Sequence, residues 1–296
     1  MQRIILALLS PLLALLLLAL FPAMTMAKEF VLSDVEAASR IDKWSVSSTD
    51  IGIAAAPPFS VKKRSLHGGK QEGMELIEID NGRTTISLIP TRGMSVFRLR
   101  SGDITLGWNS PIKQIVNPAF IELDSRGGLG WLDGFNELLV RCGFEWAGHP
   151  GVDNGKLLTL HGRAGNTPAS KVVVVIDDQP PHRIRVRGKV DEQVFKFVDY
   201  EVWTELSTEP GSRSFRVSDT LTNRGDYERE FQIIYHGNFG PPLLEEGSTF
   251  EAPAKQVTPF NDYAAKDVAT WATYRGPTRD FDEQVYNLLL FADPNG

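Results

Sequence analysis

The sequence predicts an all-β protein, a large antiparallel sandwich with few short helices. Three observations carry that expectation. Short apolar–polar alternations recur from residue 74 onward, and alternation at period two is what a strand with one buried face requires. Glycine and proline number 26 and 18 of 296 residues, which suits a chain with many turns. No stretch alternates strand and helix patterns as a parallel sheet would.

Taken in order, the first stretch is a targeting signal. Arg3 supplies a positive charge, residues 4–20 are almost wholly Leu, Ala and Ile, and Thr25-Met26-Ala27 presents small residues before Lys28. That order of regions is a secretory signal, with cleavage expected after Ala27 and a periplasmic or secreted product. Pro11 interrupts the apolar run, which is shorter than the roughly 20 residues a spanning helix needs, so no stable membrane association is expected after cleavage. Residues 28–60 read as a weakly patterned N-terminal extension, with a short helix over 34–40 capped by Ser33 or Asp34. The remainder, 61–296, reads as one sandwich domain.

Residues 74–80 and 83–90 both alternate, and Asn81-Gly82 between them marks a hairpin. Strands follow over 95–100 and 104–108. Residues 112–148 break the rhythm. They are rich in glycine and aromatics, and Trp131, Phe135 and Trp146 argue that the segment is ordered, because a solvated loop does not keep three large aromatics. Alternation returns over 169–176, 183–190, 195–204, 215–225 and 230–235, and an apolar strand-like run closes the chain over 285–291. Arg183, Arg185, Arg187 and Lys189 form a cationic stripe, read as the wet face of a half-buried strand.

Composition narrows the chemistry. The net charge is −6, which argues against nucleic acid as a partner, since phosphate binding needs a basic face. Cys142 is the sole cysteine, so the fold has no internal disulfide; the thiol reads as a small core residue rather than a nucleophile. Gly127-Gly128-Leu129-Gly130 lacks the Lys-Ser/Thr of a phosphate loop. No HExxH, paired-cysteine or Gly-x-Ser-x-Gly motif occurs, and no metal or cofactor is expected.

Two histidines remain, each followed by glycine: Leu160-His161-Gly162-Arg163 and Tyr235-His236-Gly237-Asn238-Phe239-Gly240. A glycine beside a histidine lets another backbone or a ligand come close. Histidine exchanges protons near neutral pH. A sugar site adds an apolar ring face and fixed polar groups, which Trp131, Glu137, Arg141, Arg163 and Asn238 could supply. A single histidine at a strand–loop junction is more often structural than catalytic; two in the same context shift the balance modestly towards function.

The two histidine motifs, in this order and with Asp219-Thr220-Leu221-Thr222-Asn223-Arg224-Gly225 between them, resemble the landmarks of the aldose 1-epimerase (galactose mutarotase) superfamily. Residues 126–143 resemble a mostly uncharacterised bacterial branch of it. The resemblance spans roughly 74–255 and implies a β-supersandwich and cofactor-free interconversion of the anomers of a free sugar. It implies that His236 protonates the ring oxygen and that His161 hydrogen-bonds the sugar. It also implies a carboxylate base on a late strand, in a glycine-flanked Glu motif. None is found before Gly296, so the domain is expected to be incomplete at its C-terminal end or to lack that base. Glu137 and Glu145 are the substitutes within the insert. The alternatives are a non-catalytic sugar-binding protein of the same fold and another carbohydrate activity on a supersandwich, such as polysaccharide cleavage.

Overall fold

The computed structural model describes residues 27–292. The signal reading falls outside them except for Ala27, which opens the first strand. Two antiparallel sheets pack face to face. The six-stranded sheet runs β15 (Arg216–Asn223), β14 (Val198–Thr208), β13 (Ile184–Val194), β12 (Lys171–Asp177), β1 (Ala27–Asp34), β2 (Ser39–Arg40). The eight-stranded sheet runs β16 (Gln232–Gly237), β9 (Leu139–Phe144), β7 (Ser95–Ser101), β6 (Thr85–Ile89), β5 (Glu75–Asp80), β4 (Ser60–Ser65), β3 (Lys43–Ser47), with β8 (Ile104–Leu106) beside β7. Two further two-stranded sheets are β10 (Gly151–Asp153) with β11 (Lys156–Leu158), and β17 (Ala254–Pro259) with β18 (Tyr286–Leu290).

Alternation explains the layers. On β13 and β14 every second residue points inwards, so Ile184, Val186, Val190, Val198, Tyr200, Val202 and Leu206 meet Ile77, Ile79, Ile86, Leu88 and Val96 of the facing sheet in one core. The opposite face of the eight-stranded sheet is also apolar. Leu76, Ile89 and Phe97 pack with Ile115, and Val140 and Cys142 pack with Trp131 and Leu160. The stretches on either side of β9, between β8 and β12, therefore form a third layer over that face. Trp131 and Phe135 belong to its apolar underside, while Trp146 is half-buried and outside that cluster.

The segment read as an N-terminal extension supplies strands to both sheets: β1 pairs with β12 and β3 with β4. The helix expected over 34–40 is a turn. Asp34 is buried and its Oδ1 accepts the amides of Glu36 (3.0 Å) and Ala37 (3.3 Å), closing the chain into the β1–β2 hairpin. The hairpin at Asn81 forms, but with a four-residue loop. Asn81 is fully buried; its Oδ1 accepts from Arg83 and Thr84, while Nδ2 reaches Thr208 and Ser212 of the other sheet. A contact 127 residues away in sequence thus sets the loop.

Phe195 and Phe197, read as strand residues, sit exposed in the β13–β14 turn around Lys196, whose φ is 69°. The cationic stripe on β13 is neutralised locally: Arg185 meets Asp177, Arg187 meets Glu205, and Lys189 meets Asp191 and Glu36.

Candidate functional site

His236 is the penultimate residue of β16 and pairs across the ladder with Val140 of β9. Opposed residues share a face, so His236 points to the side of the sheet covered by the third layer. His161 comes to the same place from that layer. Its φ of 58° is unusual for a residue with a side chain, and the backbone around it holds it there. Its amide donates to Gly148 O (2.9 Å), and its carbonyl accepts from Gly143 (3.1 Å). Arg163 N donates back to Gly143 O (2.9 Å). A side chain on Gly162 would place Cβ 2.0 Å from Trp146 O, so this glycine admits another backbone. Gly237 is different: the nearest atom to its notional Cβ is a Phe239 ring carbon at 3.4 Å.

The two imidazoles meet edge to face with centroids 5.0 Å apart. Trp131, 1% exposed, lies 4.7 Å from His161 and 5.8 Å from His236. Phe135 packs on Trp131 (4.5 Å) and on His236 (5.4 Å). His161 Nδ1 donates to Ala147 O (2.9 Å), which fixes the tautomer and leaves Nε2 as the acceptor. Burial lowers the pKa of His161, outweighing the opposing pull of that carbonyl; His236 and His149 lower it further, and Glu283 works the other way. The ring is therefore held towards its neutral form.

The other residues read from the sequence are placed as follows. Asn238 buttresses the end of β16, its Nδ2 donating to the carbonyls of Glu137 (3.0 Å) and His236 (3.2 Å). Glu137 is fully buried. Its Oε1 takes Arg92 Nε at 2.6 Å and its Oε2 takes the Asn136 amide at 3.0 Å, so neither oxygen is left for a sugar. Arg141 follows Val140 and so faces the sandwich interior, away from the histidines. There it bonds Gly93 O and lies 3.3 Å from Asp219 Oδ1. Asp219 also accepts from Tyr235 (2.8 Å), whose hydroxyl pKa burial pushes up to about 12. Arg163 is exposed, beyond Gly162. Glu145 is paired with Lys156 at 2.6 Å.

Two residues absent from the sequence reading approach the site from the C-terminal segment. Phe260 stacks on His149 at 5.4 Å, and its amide donates to Val285 O (2.9 Å). Glu283, in the same segment, carries a charge that weakly opposes the lowering of the His161 pKa by burial. No spacing in the sequence announces this, because Phe260 and Glu283 are connected to His149 only through the fold. Among the described residues no group of three or more His, Cys, Asp and Glu side chains is arranged to hold a metal ion.

The all-β sandwich is the fold of the aldose 1-epimerase-like superfamily. Within it the chain belongs to the DUF4432 family, described as a domain of unknown function, whose model matches residues 71–296. A crystal structure of a candidate aldose 1-epimerase from Klebsiella pneumoniae subsp. pneumoniae is similar at TM-score 0.88 and 50% sequence identity. The match covers 91% of this chain and 70% of that one. No protein of curated function matches the sequence.

Proposed function

We propose that the protein interconverts the anomers of a free aldose, with the histidine pair as its centre. The observation that carries this reading is the pair of imidazoles 5.0 Å apart against the faces of Trp131 and Phe135. A half-buried aromatic ring, Phe135, a histidine to give a proton and a second to accept a hydrogen bond are groups that a pyranose can use at its ring, its ring oxygen and a hydroxyl. His236 protonates the ring oxygen as the bond from C1 to that oxygen breaks. His161, neutral and fixed by Ala147, accepts a hydrogen bond from a sugar hydroxyl through Nε2. The open-chain aldehyde turns about C1–C2 and recloses on its other face, and the protons return.

The base that takes the anomeric hydroxyl proton is Glu283 in this reading. Glu137 has both oxygens engaged, Asp219 is bound by Arg141, Thr204 and Tyr235, and Glu145 is paired with Lys156. Glu283 is the exposed carboxylate whose charge reaches His161. Residues 1–27 support export, so the substrate is met in the periplasm or outside the cell; a secreted product beginning at Lys28 is the expected mass-spectrometric result.

The test is anomer exchange followed by NMR over a panel of aldoses and uronic acids. Wild type accelerates exchange of at least one sugar, and His236→Ala and Glu283→Gln each lower the rate by about a hundredfold or more, the usual contribution of a general acid or base. Exchange unchanged in His236→Ala would sink the reading.

A further inference from the structure

Behind the loop that carries His161 lies a separate cavity of about 490 Å³, within the range of about 300–1,000 Å³ typical of small-molecule sites. Its wall includes Trp146, Glu145, Glu192, Lys156 and Arg163, with Gly162 between it and His161. Glu192 is the unusual member. It is an inward-facing residue of β13, 5% exposed, between Val190 and Val194 of the core face. Its Oε2 accepts the amides of Phe144 (2.5 Å) and Glu145 (3.2 Å), while Oε1 has no hydrogen-bond partner among the described residues and is not sealed from water, and the residue lines the cavity. A carboxylate oxygen left without a protein donor and reachable by solvent is free to accept from a ligand.

The charge of the cavity narrows the ligand. Glu122, Asp124, Glu145 and Glu192 line it against Lys156 and Arg163, and Lys156 is already paired with Glu145. An acidic sugar is thus disfavoured and a cationic one favoured. Trp146 adds a ring for an apolar sugar face.

We propose that this cavity is a second ligand site, for an amino sugar or similar aminated polyol, with its ammonium on Glu192 Oε1 and its ring against Trp146. The site adjoins the histidine pair through the backbone: Glu145 and Trp146 of its wall directly precede Ala147 and Gly148, whose carbonyls position His161. Burial raises the Glu192 pKa, so binding an ammonium draws a proton off the carboxyl and affinity rises with pH across the Glu192 titration, then falls where the amine itself loses its proton.

This inference stands apart from the epimerase reading, and the test separates them. Glucosamine is titrated into the full chain, with tryptophan fluorescence and calorimetry as readouts and glucose and glucuronate as comparisons. Saturable glucosamine binding is expected, tighter than for either comparison. Glu192→Gln keeps an acceptor for the two amides and weakens binding about tenfold through loss of the charged hydrogen bond. Lys156→Gln releases Glu145 and tightens it, while His236→Ala leaves it unchanged and abolishes only anomer exchange. Binding lost in His236→Ala but intact in Glu192→Gln would place the amine at the histidines and overturn the proposal. So would the absence of saturable binding to a wild-type protein with a normal melting transition.

Discussion

Arg92 Nε and Glu137 Oε1 lie 2.6 Å apart with both side chains wholly shielded from water. The pair joins the β6–β7 turn to a residue two positions before β9, and so anchors the third layer to the sheet beneath it. Arg92 also donates to Val116 O (3.3 Å), and Glu137 takes the Asn136 amide. Glu137→Ala would leave a buried guanidinium unpaired, which costs about 3–5 kcal/mol of folding stability. Denaturant unfolding is the measurement. A loss below 1 kcal/mol would mean that water reaches Arg92 in the variant.

The two glycines that follow the histidines predict opposite outcomes. Gly162→Ala drives a methyl group into Trp146 O and keeps a left-handed backbone at φ 67°. It should cost about 2–4 kcal/mol and displace His161, with loss of anomer exchange. Gly237→Ala meets a ring carbon at ordinary contact distance and should cost less than about 1 kcal/mol. Thermal melts of both variants decide the matter; equal losses would refute the steric account.

Cys142 is completely buried on β9, and burial pushes its thiol up to about 12, with Glu137 adding to the rise and Arg141 opposing it. At pH 8 almost none of it is thiolate, the reactive form. Labelling by a disulfide reagent should therefore be negligible in the native protein and reach one thiol per chain in denaturant. Rapid native labelling would contradict the burial.

Much of this architecture was legible in the sequence, and the exceptions have physical causes. The long strands β13 and β14 alternate without a break because one face is core and the other is wet. Strand β1 was missed because only Leu32 and Asp34 of its eight residues are buried, and its partner β12 lies more than 130 residues away. His161, His236 and Trp131 were found and do meet. Phe135 was noticed only as a sign of order, yet it touches His236. Glu137 and Arg141 looked like sugar ligands because a charged residue beside an aromatic segment carries no mark of its partner. Arg92 and Asp219 are 45 and 78 residues away in the chain, and the fold alone shows that these charges neutralise each other inside.

Two buried titrations bend the stability curve in opposite directions. His161 has a folded pKa below its ordinary 6.5, set chiefly by burial. The unfolded chain therefore takes up the proton first, and the His161 contribution is complete above pH 6.5 and lost as pH falls through the lowered value. Glu192 has a folded pKa above its ordinary 4.5, again through burial. Its contribution is complete below pH 4.5 and lost as pH rises through the raised value, because an ionised carboxylate is then held in the core. Wild type should thus lose less stability between pH 7 and 5 than His161 alone dictates. His161→Gln removes the first slope and leaves a protein whose stability rises on acidification across the Glu192 range. Glu192→Gln removes the second and steepens the acid loss. Denaturant midpoints of the three proteins at half-unit steps from pH 4 to 8 are the measurement. Parallel curves would show that neither group changes its pKa on folding.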